Sequence, residues 1–206
     1  MNRRIAVMVL ALAAVGLSGC ISLFPKAEPS RLYRLQASVA PQAAPSGAAY
    51  GVLRLGTGFP RASAGDRILT VSPGGEAAYI AGARWVSPAS VMFDEQTVQA
   101  FHASGRARLI TRGDVASADY ILKLDVHSFE TVYDRGPKAA PVILVSVRGV
   151  ITRAGDRALV GDRTFTASIR AGDNRVSAIV PAYDKALSQV LGEVVGWVNA
   201  LDASGG

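Results

Sequence analysis

Residues suited to covalent or metal chemistry are scarce in this chain. Its 206 residues include one cysteine, Cys20, and two histidines, His102 and His127. A single cysteine excludes an intramolecular disulfide, so stability has to come from burial. Neither histidine has a partner at zinc-ligand spacing. A zinc site from two histidines and an acid, or a serine triad using His127, stands against the simpler reading of ordinary surface histidines, and no Gly-x-Ser-x-Gly elbow is present. No Gly-Lys-Ser/Thr loop is found, so Gly56-Thr57-Gly58 and Ser72-Pro73-Gly74-Gly75 read as turns rather than nucleotide cradles. Charged residues make up 18% and aromatics 7%, and the arginines are scattered singly. Nucleic-acid binding calls instead for a basic stripe interleaved with aromatics. Half the residues are apolar, which excludes a disordered chain. These shortages point away from an enzyme and imply no cofactor.

Long apolar runs are missing too. The run Ile5 to Val15 has eleven residues, well short of the ~20 needed to span a bilayer as a helix. It follows the cationic Met1-Asn2-Arg3-Arg4 and leads to Leu17-Ser18-Gly19-Cys20, the layout of an export signal. That ending resembles the bacterial lipobox. The resemblance implies cleavage before Cys20 and acylation of its thiol and new amine with fatty acids such as palmitate; the competing reading is a plain secretory signal with an incidental cysteine. Loss of residues 1–19 removes Arg3 and Arg4 and no acid, so the net charge falls from +6 to +4. A mildly basic body leans towards an anionic membrane surface or an acidic partner. Ile21 and Ser22 stand where an aspartate would resemble an inner-membrane retention signal, which implies an outer-membrane anchor facing the periplasm.

The chain divides into the signal peptide at 1–19, the lipidated cysteine and a Pro-containing tether at 20–31, one folded domain at 32–201 and a flexible C-terminus at 202–206. Strands are predicted at 31–39, 50–55, 67–71, 77–85, 107–110, 120–133, 141–153 and 159–170. Residues 40–47 and 56–66 read as loops, and 154–157 as a hairpin connection. Ser87-Pro88 opens a helix to about Ala103, with Val91, Val98 and Phe101 as its buried stripe. A longer helix, 181–201, takes Pro181 into its first turn. Gly192 and Gly196 allow another element to approach it closely. The order of elements predicts an α+β single domain, a largely antiparallel sheet with two main helices packed on one face.

Several segments together resemble the auxiliary lipoproteins of ABC-type transport systems, the group associated with mammalian-cell-entry (MCE) type lipid transport that includes the paraquat-inducible lipoprotein. These are Cys20, Leu32-Tyr33-Arg34-Leu35, the run Tyr79 to Pro88 with its Arg84-Trp85 ending, Asp119-Tyr120-Ile121-Leu122 with Phe129-Glu130, and Phe165 with the last helix through Trp197. The likeness runs from about Leu32 to Leu201, departing from the family where Tyr33 stands without a second tyrosine and where alanines fill 77–83.

The resemblance implies a noncatalytic component that docks an MCE-domain periplasmic protein and, through it, an inner-membrane ABC permease and ATPase. A ring or other homo-oligomer is among the forms it allows. A structural or envelope-assembly lipoprotein without a transport role is the alternative. Tyr79, Arg84 and Trp85 are the candidate partner interface, with core packing the competing role for Tyr79, Trp85 and also Trp197. Changing Cys20→Ser is expected to abolish incorporation of labelled palmitate and to leave residues 1–19 attached, both read from the intact mass of the purified protein.

Overall fold

A computed structural model describes residues 29–40, 50–104, 106–111 and 113–201. Cys20, the signal and tether up to residue 28, and the 202–206 tail lie outside the described residues.

The longest strand organises the rest. Strand β6 (Tyr120–Val132) pairs antiparallel along its whole length with β7 (Val142–Arg153), and β7 pairs likewise with β8 (Leu159–Arg170). The opposite edge of β6 is filled by one excursion of the chain. Strand β2 (Tyr50–Arg54) runs parallel to it at Tyr120–Leu122, Gly58 bridges to Asp125, and β3 (Arg67–Val71) runs parallel at Thr131–Val132. Between Gly58 and β3 the chain makes a single turn of helix, α1 (Arg61–Ala64), where the sequence suggested only loop. Beyond β2 lies β5 (Ala107–Ile110), and beyond β3 lie β4 (Ala77–Trp85) and then β1 (Arg31–Tyr33). The eight-stranded sheet is therefore antiparallel in its long ladders and parallel in most of its short ones.

Alternation along β6 explains which side is covered. Leu122, Leu124 and Val126 are buried, and the register then slips at His127, so that Phe129 and Thr131 take over the inward phase. A bulge of this kind inserts one unpaired residue and bends the strand. In β7 the inward set is Ile143, Val145, Val147, Gly149 and Ile151; in β8 it is Phe165 and Ala167.

Helix α3 (Val176–Asn199) packs on β7 and β8, and α2 (Ala89–Ser104) packs beside it against β5. The buried side of α3 includes Ile179, Tyr183, Leu187, Val190, Leu191, Val194 and Val198. It starts five residues earlier than expected, which places Pro181 inside it. Proline removes the N–H that would bond the carbonyl of Ser177, but Ser177 is exposed and water can satisfy that oxygen. In α2 the buried residues include Ala89, Met92, Phe93, Gln96, Thr97, Ala100 and Phe101, while Val91 faces solvent at 44% exposure. Of the predicted stripe, Phe101 is buried and Val98 packs partly against the core, whereas Val91 falls outside the inward face, two of whose positions are polar. Thr97 Oγ1 donates to the Phe93 carbonyl (2.8 Å), and Gln96 Oε1 accepts from the backbone N–H of Ala37 (2.9 Å).

At its C-terminal end α3 is held by Tyr50, whose hydroxyl donates to the Val198 carbonyl, and by Arg106 Nη1, which donates to the Asn199 carbonyl (3.2 Å). A cation among terminal carbonyls complements the helix dipole. Close approach is made by glycines of the sheet. A Cβ on Gly149 or Gly161 would stand 2.9 or 2.8 Å from the Trp197 ring, which also lies 5.4 Å from the ring of Phe165. Gly149→Ala is therefore expected to lower stability by about 1–3 kcal/mol. Denaturant melts should show that loss shrinking when Trp197 is first reduced to leucine.

Candidate interaction surface

The chain enters the described body at residue 29 and forms β1 at the sheet's end, parallel to β4. The expected first strand to Val39 stops at Tyr33, because the following residues bond to helix side chains instead of to a strand. Gln36 N–H donates to Asp184 Oδ1 (2.7 Å) and Ser38 N–H to Ser188 Oγ (2.9 Å), both on α3, while Ala37 N–H reaches Gln96 on α2. Leu35 is 1% exposed and wedges beneath this extended strap. Burial raises the Asp184 carboxyl above its ordinary value of 3.8, opposed by the Gln36 N–H.

Of the three residues expected at an interface, Trp85 is a core residue. It is 2% exposed, and its ring meets that of Tyr183 edge-on at 5.2 Å and that of Phe129 at 6.3 Å. Alternation requires this: Ala83 and Trp85 point inward from β4, and Arg84 outward. Arg84 is half-exposed and bonds Asp66 Oδ2 (2.8 Å). Tyr79 is half-buried, donates its hydroxyl to the Ala62 carbonyl (3.0 Å) and carries the Arg67 guanidinium 3.8 Å above its ring. Tyr79 and Arg84 thus lie on one wing of the sheet, built from β1, β4, β3 and α1. The start of α2 is tied to the same wing, since Ala89 N–H donates to the Gly65 carbonyl and Ser90 Oγ to that of Ala64. Between β1, the left-handed Gly82 (φ 66°) and the first residues of α3 lies a groove of about 370 Å³, lined in part by Arg31 and Arg175.

Two polar contacts escaped the sequence reading. Arg54 Nη1, on a side chain only 11% exposed, donates to Asp94 Oδ1 (2.6 Å) and Thr57 Oγ1 (2.9 Å). Asp119 Oδ2 accepts from Gly51 N–H (2.7 Å), and its own N–H returns to the Gly51 carbonyl. Each joins elements distant in sequence, so local spacing carries no signal of either.

His102 and His127 are both exposed, one near the end of α2 and the other at the β6 bulge. Among the described residues no group of three or more His, Cys, Asp or Glu is placed to hold a metal, and no helix is long and apolar enough to cross a membrane. On the sheet face away from the helices, Asp162 is held below its ordinary value by its bonds to Arg148 (2.9 and 2.5 Å), and Asp134 by its bonds to Arg170 (3.0 and 2.6 Å). Paired exposed charges of this kind fix side-chain register more than they stabilise.

Residues 33–195 match the family model described as ABC-type transport auxiliary lipoprotein component. Among solved structures, the fold resembles protein XCC0632 from Xanthomonas campestris, with a TM-score of 0.74 and 27% identity over 84% of this chain and 97% of that one. It also resembles the hypothetical protein CT253 from Chlamydia trachomatis, at 0.52 and 14% identity over 76% of this chain and 100% of that one. A search of curated proteins gives no match.

The strap yields a pH test. A carboxyl whose folded value is raised opposes folding once ionised: the penalty is absent below 3.8, grows as the pH rises, and is complete above the raised folded value. Asp184→Asn keeps the acceptor without that penalty, so its thermal midpoint should exceed the wild type's at neutral pH and converge with it towards pH ~3.8. Asp184→Ala removes the acceptor of Gln36 together with the ionisation penalty, so it should cost about 1–2 kcal/mol near pH ~3.8 and less at neutral pH.

Proposed function

Since the chain belongs to the ABC-type transport auxiliary lipoprotein family, we propose that it is a noncatalytic accessory of a phospholipid-transport system. In this reading Cys20 anchors it in the outer membrane, residues 20–31 are the tether, and the 32–201 body docks an MCE-domain protein in the periplasm. An inner-membrane permease and ATPase then act on the lipid through that partner. The observation that carries the reading is the extent of the family match, which runs from the last residue of β1 through most of α3 and so takes in nearly all of the described body.

The physical design suits such a role. A tether of about ten residues gives a reach of roughly 33 Å when extended. The body behind it is a sheet with one face covered by helices and the other open to solvent, a surface area large enough to hold a partner. Tyr79 and Arg84 remain the interface residues we propose, with Trp85 supporting them from the core. Arg84 is half-exposed and paired with Asp66, Arg67 lies on the Tyr79 ring, and arginine and tyrosine are residue types enriched at binding hot spots.

Crosslinking the acylated protein in native membranes, followed by affinity capture and mass spectrometry, tests the proposal. Recovery of an MCE-domain protein with its permease and ATPase is expected, reduced at least fivefold by Arg84→Glu at unchanged protein level. Capture of envelope-assembly proteins in their place would transfer the assignment to the structural alternative.

A further inference from the structure

Charge is distributed unevenly along this chain. Residues 29–92 carry six arginines against Asp66 and Glu76, whereas residues 93–206 carry thirteen basic and thirteen acidic residues, and Lys26 offsets Glu28 between 20 and 28. The entire positive excess that follows residue 19 therefore belongs to one part of the fold, the β1–β4–β3 wing with α1 and the neighbouring β2. One of the six, Arg54, is turned inward onto Asp94. The other five, Arg31, Arg34, Arg61, Arg67 and Arg84, are exposed.

The strand register gathers them. Leu32 is the partner of Arg84 across β1–β4, and Arg67 is the partner of Arg84 across β3–β4, so Leu32, Arg84 and Arg67 form a row over three strands. Like charges directly opposite one another oppose pairing, and Asp66 bonds Arg84 while Arg67 rests on the Tyr79 ring. The pairing continues past β1, where Val86 N–H donates to the Tyr33 carbonyl (2.7 Å), bringing Val86 next to Arg34. Leu32 is 62% exposed and Val86 44%, two large aliphatic groups among the guanidinium groups. The tether leads straight into this patch: β1 begins eleven residues after Cys20, a span of at most roughly 40 Å.

We infer that the β1 edge of this wing rests on the anionic phospholipid surface of the membrane that holds the anchor. Arg31 and Arg34 meet lipid phosphates along the β1 edge, and Leu32 and Val86 reach the boundary between headgroups and acyl chains, which leaves Tyr79 and Arg84, farther in on the sheet, to the protein partner. Charge complementarity and the short leash choose this occupant. Basic side chains gain affinity for anionic lipid within a Debye length of the surface, and a chain tethered at this edge presents this edge first. One weak attachment of this type suffices to orient a body that an acyl anchor already retains. The inference rests on Cys20 as the anchor, and it adds an orientation that the anchor alone does not set.

The described fold uses residues 29–201 only, so the test takes the chain from residue 20 onwards with Cys20→Ser, which carries no acyl group. It is sedimented with vesicles of phosphatidylethanolamine and phosphatidylglycerol (3:1) and with neutral phosphatidylcholine vesicles, in 50 and 300 mM NaCl. Partitioning onto the anionic vesicles at low salt is expected, with a steep loss at high salt. Changing Arg31 and Arg34 together to glutamine should lower the partition coefficient about thirtyfold, and Leu32→Ser with Val86→Ser should lower it further at unchanged melting temperature.

Equal binding to neutral vesicles, no binding at 50 mM NaCl, or insensitivity to the arginine changes overturns the inference. So does retention of those arginines by an acidic protein while vesicles are ignored. The anchor is judged separately from the mass of the N-terminal peptide of the membrane-extracted protein. Vesicle binding by a chain found unacylated in cells would reject the anchor and keep the surface, and an acylated chain whose body ignores anionic vesicles would do the reverse.

Discussion

The fit of one helix over three long strands is the constraint on which the rest of this structure depends. At about 1.5 Å per residue, the 24 residues of α3 extend roughly 36 Å. Strands of 12 or 13 residues extend roughly 40 Å. A single helix can therefore cover the β6–β7–β8 ladder from end to end, and its inward residues are almost wholly shielded from water. Towards one end the contact is a slot, Trp197 against the bare backbone of Gly149 and Gly161. Towards the other it is an aromatic cluster, where Tyr183 meets Trp85 and Phe129 and bonds through its hydroxyl to Thr131 Oγ1 (3.0 Å). Burial drives the Tyr183 phenol strongly upward, so it stays protonated and available as a hydrogen-bonding group.

Other features follow from that fit. Because α3 occupies β7 and β8, α2 is left to cover the short parallel strands beside it, and the strap from Arg34 to Ala40 fills the seam between the two helices. The seam is polar, which is why α2 buries Gln96 and Thr97 in place of leucines. Each has a partner, so the cost of burying it is met by a hydrogen bond. The sheet's other face has no helix and carries ion pairs such as Arg148 with Asp162. These carboxylates are held low by guanidinium groups, whereas Asp184 in the seam is held high by burial. Acid thus weakens the open face and relieves the seam.

Regular strands were legible in the residues themselves. β3, β4, β5 and β8 fall where alternation and turn residues put them, and Ser72-Pro73-Gly74-Gly75 closes its turn with Gly75 N–H on the Ser72 carbonyl (3.1 Å). The α+β class with helices on one face is likewise what the element order implies. What local pattern could not reveal depends on tertiary contact. The strap resembles a strand in composition, but its N–H groups find Asp184 and Ser188 almost 150 residues away. Val91 looked inward because apolar residues were counted, while the true inward face contains a glutamine and a threonine. Trp85 and Arg84 are adjacent and of opposite fate, a distinction set by the phase of β4. For the surface itself, the signal lay in the distribution of arginines between the two parts of the chain, not in any motif.

The strap has a consequence for the order in which this protein can acquire structure. Its partners lie on α3, Tyr50 needs the Val198 carbonyl, and Arg106 and Ala107 need Asn199. A chain emerging from its N-terminus therefore holds, until its last thirty residues are free, a set of strands with no lid and an opening segment with nothing to grip. Contacts so distant in sequence carry a large loop-closure cost and form late. The delay leaves the chain without a closed core for as long as any of its length is held back, and lets the completed body close only once the last helix is free.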